Sequence, residues 1–185
     1  GHLTAGFPKI INVGYAAIKQ EAQDWCDAHK GNLMGDDVDK YMFYQSAIIA
    51  CDAAIIMVKR YAKEAARQTE LCTDPQRKKE LAFMADGLAW ISENPARNFW
   101  EACQATLLYM LFLQVDSCYP AMAFGRFDQY TWPFLKKDLE SGLLTKEQAQ
   151  VLVDAFFLKA NCYYDLAHPF INMMVGLGNT YQHTT

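Results

Sequence analysis

The sequence predicts a mainly α fold with a little β. Three observations carry the prediction. Apolar residues recur at steps of three and four through six segments between residues 7 and 160, the spacing that aligns one face of a helix. Cap and stop signals bracket those segments, with Asn, Asp or Thr at their starts and Gly or Pro just beyond their ends. β-prone Val175, Thr180, Tyr181 and Thr184 gather in the tail among Gly176, Gly178 and Asn179, a composition that suits a loop and one strand.

Residues 7–29 align Ile11, Tyr15, Ile18, Ala22 and Trp25, and Gly31 supplies a stop, so one helix is expected there. Asp36 or Asp37 caps a long helix to about Gln68. Its expected seam is Phe43, Ala47, Cys51, Ala54, Val58, Tyr61 and Ala65. The acids Asp36, Asp37 and Asp39 are expected as cap and dipole partners. Thr73-Asp74-Pro75 starts a helix over 75–92 that carries Leu81, Met84, Leu88 and Ile91 and stops before Asn94-Pro95. Asn98 caps a helix over 98–115 that is apolar nearly all round and should be buried in a larger body. In so short a chain that helix is expected to need a partner chain or self-association to cover it. An irregular stretch with Pro120 follows, then a helix over 126–140 with Pro133 early in it, ended by Ser141-Gly142. Thr145-Lys146-Glu147-Gln148 is a capping box that opens a helix over 146–160. Residues 1–185 are expected to form a single segment, helical over 7–165 and loop or strand over 166–185.

Hydrophobic residues make up 52% of the chain, enough for a core and too many for a disordered segment. The net charge is -4 and no block of five basic residues occurs, which disfavours nucleic acid and anionic membrane as partners. The longest apolar run, 47–58, is broken by Cys51-Asp52 and is too short to span a bilayer. None of the six cysteines forms a CxxC pair. They are expected as reduced, mostly buried thiols in a cytoplasmic, reducing setting. His2, His29, His168 and His183 are scattered, so no protein-only metal site is expected. Gly-rich phosphate loops, GxSxG and HExxH are missing as well. Arg126 and Asp128, flanked by Phe127 and Tyr130, are expected as a fixed, partly buried structural pair. Ser117 and Cys118 follow the most apolar helix in an irregular segment, where scaffolds display site residues, although a lone Ser or Cys there more often serves as a cap or a filler.

Five segments also resemble, in order, the glycyl radical enzymes, the superfamily of pyruvate formate-lyase and the glycerol and diol dehydratases. They are Gly1-His2 with Phe7-Pro8-Lys9-Ile10-Ile11 and Gly14-Tyr15-Ala16-Ala17-Ile18, Ala50 to Ile55 with Arg60 to Ala65, Pro95 to Gln104, Gly125 to Tyr130, and Tyr181 to Thr185. Gly125-Arg126-Phe127-Asp128-Gln129-Tyr130 is the most specific. The resemblance implies part of the helical shell of a ten-stranded α/β barrel. It implies a parent that cleaves a C–C, C–O, C–N or C–S bond in a small substrate, using a glycyl radical installed by an iron–sulfur, S-adenosylmethionine-dependent activase. It further implies a homo-oligomer as the full enzyme.

By the same resemblance His2 and Ser117 contact substrate, His2 through its imidazole and Ser117 through its hydroxyl. No catalytic residue is expected in this chain, because neither a Gly-Cys-x-Glu nor an Arg-Val-x-Gly motif occurs. The chain is therefore expected to be a fragment, inactive and without a bound cofactor by itself, that needs the remainder of the barrel or a partner chain. Cys118-Tyr119-Pro120 and Met122-Ala123 depart from the polar dehydratase pattern and imply a less polar pocket. Two alternatives compete with the fragment of a radical lyase: one subunit of a split radical enzyme, and a non-catalytic helical interaction module.

Overall fold

The structure, a computed structural model, describes residues 3–117 and 122–161. The tail expected as loop and strand lies outside the described residues. Within them the chain is helical, with elements in the order β1 (Leu3–Thr4), α1 (Phe7–Val13), α2 (Tyr15–His29), α3 (Asp37–Leu71), α4 (Pro75–Ile91), α5 (Phe99–Ser117), β2 (Met122–Ala123), α6 (Phe127–Glu140) and α7 (Lys146–Asn161). Contacts divide it into two compact units, Asn12–Pro95 and the remainder, Gly1–Ile11 with Ala96–Thr185.

In the unit of residues 12–95, α3 packs against both α2 and α4. The single helix expected over 7–29 is two helices. Gly14 breaks it with φ 80 and ψ 160, a conformation that L side chains rarely adopt. A Cβ on Gly14 would lie 2.5 Å from the Asn94 carbonyl carbon and 2.6 Å from Glu93 O, so only glycine lets the two backbones meet. The break also frees the Ala16 N–H to donate to Glu93 O at 2.9 Å.

The observed seam of α3 is Tyr41, Tyr44, Ile48, Cys51, Ile55, Val58, Ala62 and Ala65, buried or half-buried throughout. Its steps of three and four alternate, the heptad that keeps one stripe against a partner helix. The expected seam began with two successive steps of four, which carry a line about 80° around a helix. Phe43 and Tyr61 accordingly point outward, 67% and 46% exposed. The expected cap at Asp36 is present by position but makes no side-chain hydrogen bond. Asp37 and Asp39 do lie in the first turn, where their charge meets the helix dipole.

The apolar tract of α3 is longer than the run 47–58 suggested. An 18-residue window reaches a mean hydropathy of 1.6, so one described helix is long and apolar enough, by length and composition, to cross a membrane. The same helix uses one face of that tract as the seam.

α4 begins as expected, with Asp74 Oδ1 accepting from the Arg77 N–H at 2.6 Å and Pro75 in its first turn. It buries Leu81, Leu88 and Ile91, with Met84 half-buried on the same face.

In the other unit, β1 and β2 pair in parallel, Leu3 opposite Met122 and Thr4 opposite Ala123. Beside them Phe7, Phe99, Cys103, Leu107, Met110, Phe124 and Phe156 form the core. α5 runs through it and is buried or half-buried over 99–114, with exposure reached at Val115. The chain thus covers α5 over most of its length, against the expectation that a partner must. α6 continues through Pro133. α7 opens with the expected box: Thr145 N–H donates to Gln148 Oε1 at 2.9 Å and Gln148 N–H to Thr145 Oγ1 at 3.2 Å.

Candidate functional site

Two of the segments that carry the family resemblance meet at the β1–β2 pair. Gly125 follows β2 with φ 66, and a Cβ there would lie 2.6 Å from Thr4 Cγ2. Phe7 packs on Phe124 at 5.7 Å between ring centroids and on Tyr130 at 6.1 Å. The Tyr130 hydroxyl donates to Phe124 O at 3.0 Å, closing the turn from strand to helix. Phe127 packs on Phe156 of α7 at 4.2 Å. Gly125, Phe127 and Tyr130 of the Gly125–Tyr130 motif therefore have structural duties: one close approach, one core aromatic and one tether. Burial pushes the Tyr130 phenol above its ordinary range, which keeps it a proton donor.

Arg126 and Asp128 do not form the expected buried pair. Both are exposed, and no ion pair joins them among the described residues. Arg126 Nη1 instead donates to Gln129 Oε1 at 3.4 Å. The reason is helical geometry, since residues two apart do not face one another while residues three apart do.

A third resemblance segment, Pro95 to Gln104, builds the start of α5. Asn98 Oδ1 accepts from the Glu101 N–H at 2.9 Å, the expected cap. Glu101, 1% exposed, reaches back to accept from the Arg97 N–H at 2.6 Å and from its guanidinium at 2.6 and 2.9 Å. Buried Asp138 of α6 accepts from the Phe99 N–H at 2.7 Å. Two carboxylates thus satisfy amides at one helix start, where negative charge is favourable.

Among the described residues, two hollows lie against Phe124, which follows β2. The larger, about 530 Å³, is lined mainly by Phe99, Phe124, Phe127, Trp132 and Phe157, with Asp128 and Thr131 as polar members. The smaller, about 280 Å³, lies against Thr4, Arg126, Gln129 and Tyr130. Among the described residues no cluster of three metal-ligating side chains occurs.

Of the residues that the resemblance assigns to substrate, His2 lies outside the described residues and directly precedes β1 in sequence. Cys118 lies outside them too. Position 117 ends α5, five residues before β2. The parallel register places the backbone that follows His2 beside the backbone that follows 117–121. Of the described cysteines, Cys26, Cys51 and Cys103 are buried and Cys72 is half-buried, and no disulfide joins any two of them. Burial holds the Cys103 thiol up to about 12, so it stays protonated and inert. Sequence reasoning missed Gln114, a buried polar residue in α5. Its one visible signal is an amide in an otherwise apolar turn ahead of Ser117.

A family model described as pyruvate formate lyase-like matches residues 1–185. The isethionate sulfite-lyase of Oleidesulfovibrio alaskensis is 38% identical over 86% of this chain and 19% of its own length. A solved structure concerned with 1,2-propanediol dehydration in Roseburia inulinivorans matches with a TM-score of 0.80 and 36% identity, over 86% of this chain and 19% of that one. A glycyl radical enzyme from Archaeoglobus fulgidus matches with a TM-score of 0.80 and 29% identity, over 86% of this chain and 20% of that one. The chain spans about a fifth of the length of the relatives it matches. A match along every residue, with strand, cap and aromatic geometry to explain the matched motifs, establishes that this chain belongs to the pyruvate formate lyase-like family of glycyl radical enzymes.

Proposed function

We propose that this stretch forms part of the substrate chamber wall of a glycyl radical lyase or dehydratase that acts on a small hydroxylated substrate. The parallel pairing of β1 with β2 carries the proposal, because it sets Leu3–Thr4, which follow His2 in sequence, beside Met122–Ala123, five residues beyond Ser117. The names of similar proteins support it: an isethionate sulfite-lyase and an enzyme of 1,2-propanediol dehydration both handle small hydroxylated molecules. In this proposal His2 and Ser117 hold the substrate by hydrogen bonds. The remainder of the polypeptide supplies the thiyl cysteine and the radical glycine. An activating enzyme with an iron–sulfur cluster and S-adenosylmethionine installs the radical, which supplies the hydrogen-atom abstraction that starts bond cleavage.

The test is turnover of isethionate and of propane-1,2-diol by the whole polypeptide, activated without oxygen. Wild type should consume one of them, and His2→Ala and Ser117→Ala should each cut kcat/KM about tenfold or more, the effect of losing one substrate hydrogen bond in a dry site. Full activity in both variants would remove these residues from the chamber.

A further inference from the structure

The outer face of α3 carries a second stripe, on the side away from its buried seam. Asp39, Met42, Ser46, Ile49, Ala53, Ile56 and Arg60 follow one another at alternating steps of three and four, and all of them are exposed. That spacing is the heptad of a helix that packs along another helix. Ser46 and Ala53 stand between the large apolar side chains and leave room for large ones to enter. The Ser46 hydroxyl donates to Met42 O at 2.9 Å, so it brings no unmet polar group to a contact.

The order of the stripe says what covers it. From either end it runs charged, large, small, large, small, large, charged, with Ile49 at the centre. Laid antiparallel on a copy of itself about Ile49, it sets Met42 against Ile56 of the second copy and Ser46 against Ala53. Asp39 then meets Arg60 of the second copy, and by symmetry the pair forms twice. A two-fold contact demands this kind of self-complementarity. A parallel pairing would instead set acid on acid and base on base. The two charges cannot meet within one chain, because positions 39 and 60 lie about 32 Å apart along the helix. Their neighbours are already matched, Lys40 with Asp37 and Lys59 with Glu93. Asp39 and Arg60 form no ion pair among the described residues.

We propose that this face of α3 docks a second copy of the same chain, as an antiparallel helix pair with Ile49 at the two-fold axis. The inference does not rest on the proposed function, since it uses neither His2 nor Ser117.

The experiment is analytical ultracentrifugation of the whole polypeptide over a range of concentrations. Wild type should self-associate. Asp39→Arg and Arg60→Asp should each weaken association about tenfold or more, because each turns two attractive contacts into repulsive ones. The double variant Asp39→Arg with Arg60→Asp should return to within about threefold of wild type, and an equal mixture of the two single variants should form mixed dimers. Ile49→Lys, which places two like charges at the axis, should weaken association at least tenfold. At dilutions below the association range the stripe is bare, so all variants should melt within a few degrees of wild type there. Association unchanged in the single variants, or not restored in the double variant, overturns the inference, and so does a wild type that stays monomeric. Variants that melt well below wild type at those dilutions overturn it too, because the face would then be packed against the remainder of the polypeptide. Wild type that sediments with phosphatidylcholine vesicles, and is released by Ile49→Lys but not by the charge variants, makes the occupant a lipid surface and overturns it as well.

Discussion

A methyl group on Gly14 would collide with the backbone of Glu93, Asn94 and Pro95, which unlike a side-chain tip cannot turn aside. Gly14→Ala adds that overlap to the cost of a positive φ, so it should destabilise by about 2–4 kcal/mol. Urea unfolding of the two proteins checks it, and a loss below about 1 kcal/mol would show that the junction yields. Cys103 gives the pH prediction. Burial raises its pKa from an ordinary 9.0 to about 12 in the folded chain. Between those values the unfolded chain gives up a proton that the folded chain keeps. Stability is therefore complete below about pH 9 and is lost as pH rises toward 12, with an upper bound of about 4 kcal/mol. Tyr130, also raised by burial, pulls in the same direction. Cys103→Ala should lose less stability than wild type between pH 8 and pH 10.5, and equal losses would count against the thiol.

Between elements, α3 separates two apolar faces that composition alone merges. Its inner seam includes Val58, 1% exposed, while Ile56 on the outer face is 51% exposed. Val58→Ala should cost about 2 kcal/mol by leaving a cavity, and Ile56→Ala less than about 0.5 kcal/mol. Similar losses at both sites would mean that the outer face is packed as well. Met42, Ile49 and Ile56 make the bare apolar stripe of this helix, each more than half exposed. A dye that reports exposed apolar surface should therefore bind the isolated chain through α3 rather than through α5. Ile49→Lys with Ile56→Lys should cut its fluorescence by at least half, and an unchanged signal would move the patch elsewhere.

For the whole molecule, family membership and partial length set the expectation. The chain matches the family along all its residues but spans about a fifth of its relatives, and it contains no Arg-Val-x-Gly segment. Treated without oxygen with an activating enzyme and S-adenosylmethionine, the isolated chain should give no glycyl radical doublet by electron paramagnetic resonance. A full-length glycyl radical enzyme that carries the Arg-Val-x-Gly segment, treated alike, should give one. A doublet on these 185 residues would place the radical on a glycine in this stretch and overturn the motif assignment.

Sequence by itself determined most of the helices, several of their caps and the family. Asp74, Asn98 and the Thr145–Gln148 box act within three or four residues of where they stand, and such local hydrogen bonds depend on nothing distant. The matched motifs were legible because their residue types are forced by close geometry, as at Gly125 and Tyr130. Contacts that join distant parts of the chain were not legible. The split at Gly14 comes from a strand of backbone about eighty residues away. Asp138 serves a helix start 39 residues earlier. The side of α3 that is buried depends on where α2 and α4 lie, and no periodicity states that. Gln114 in α5 is a further case. Its residue type is visible in the sequence, but whether a buried amide has found a donor depends on every group around it, so only the tertiary structure shows that its oxygen has none among the described residues.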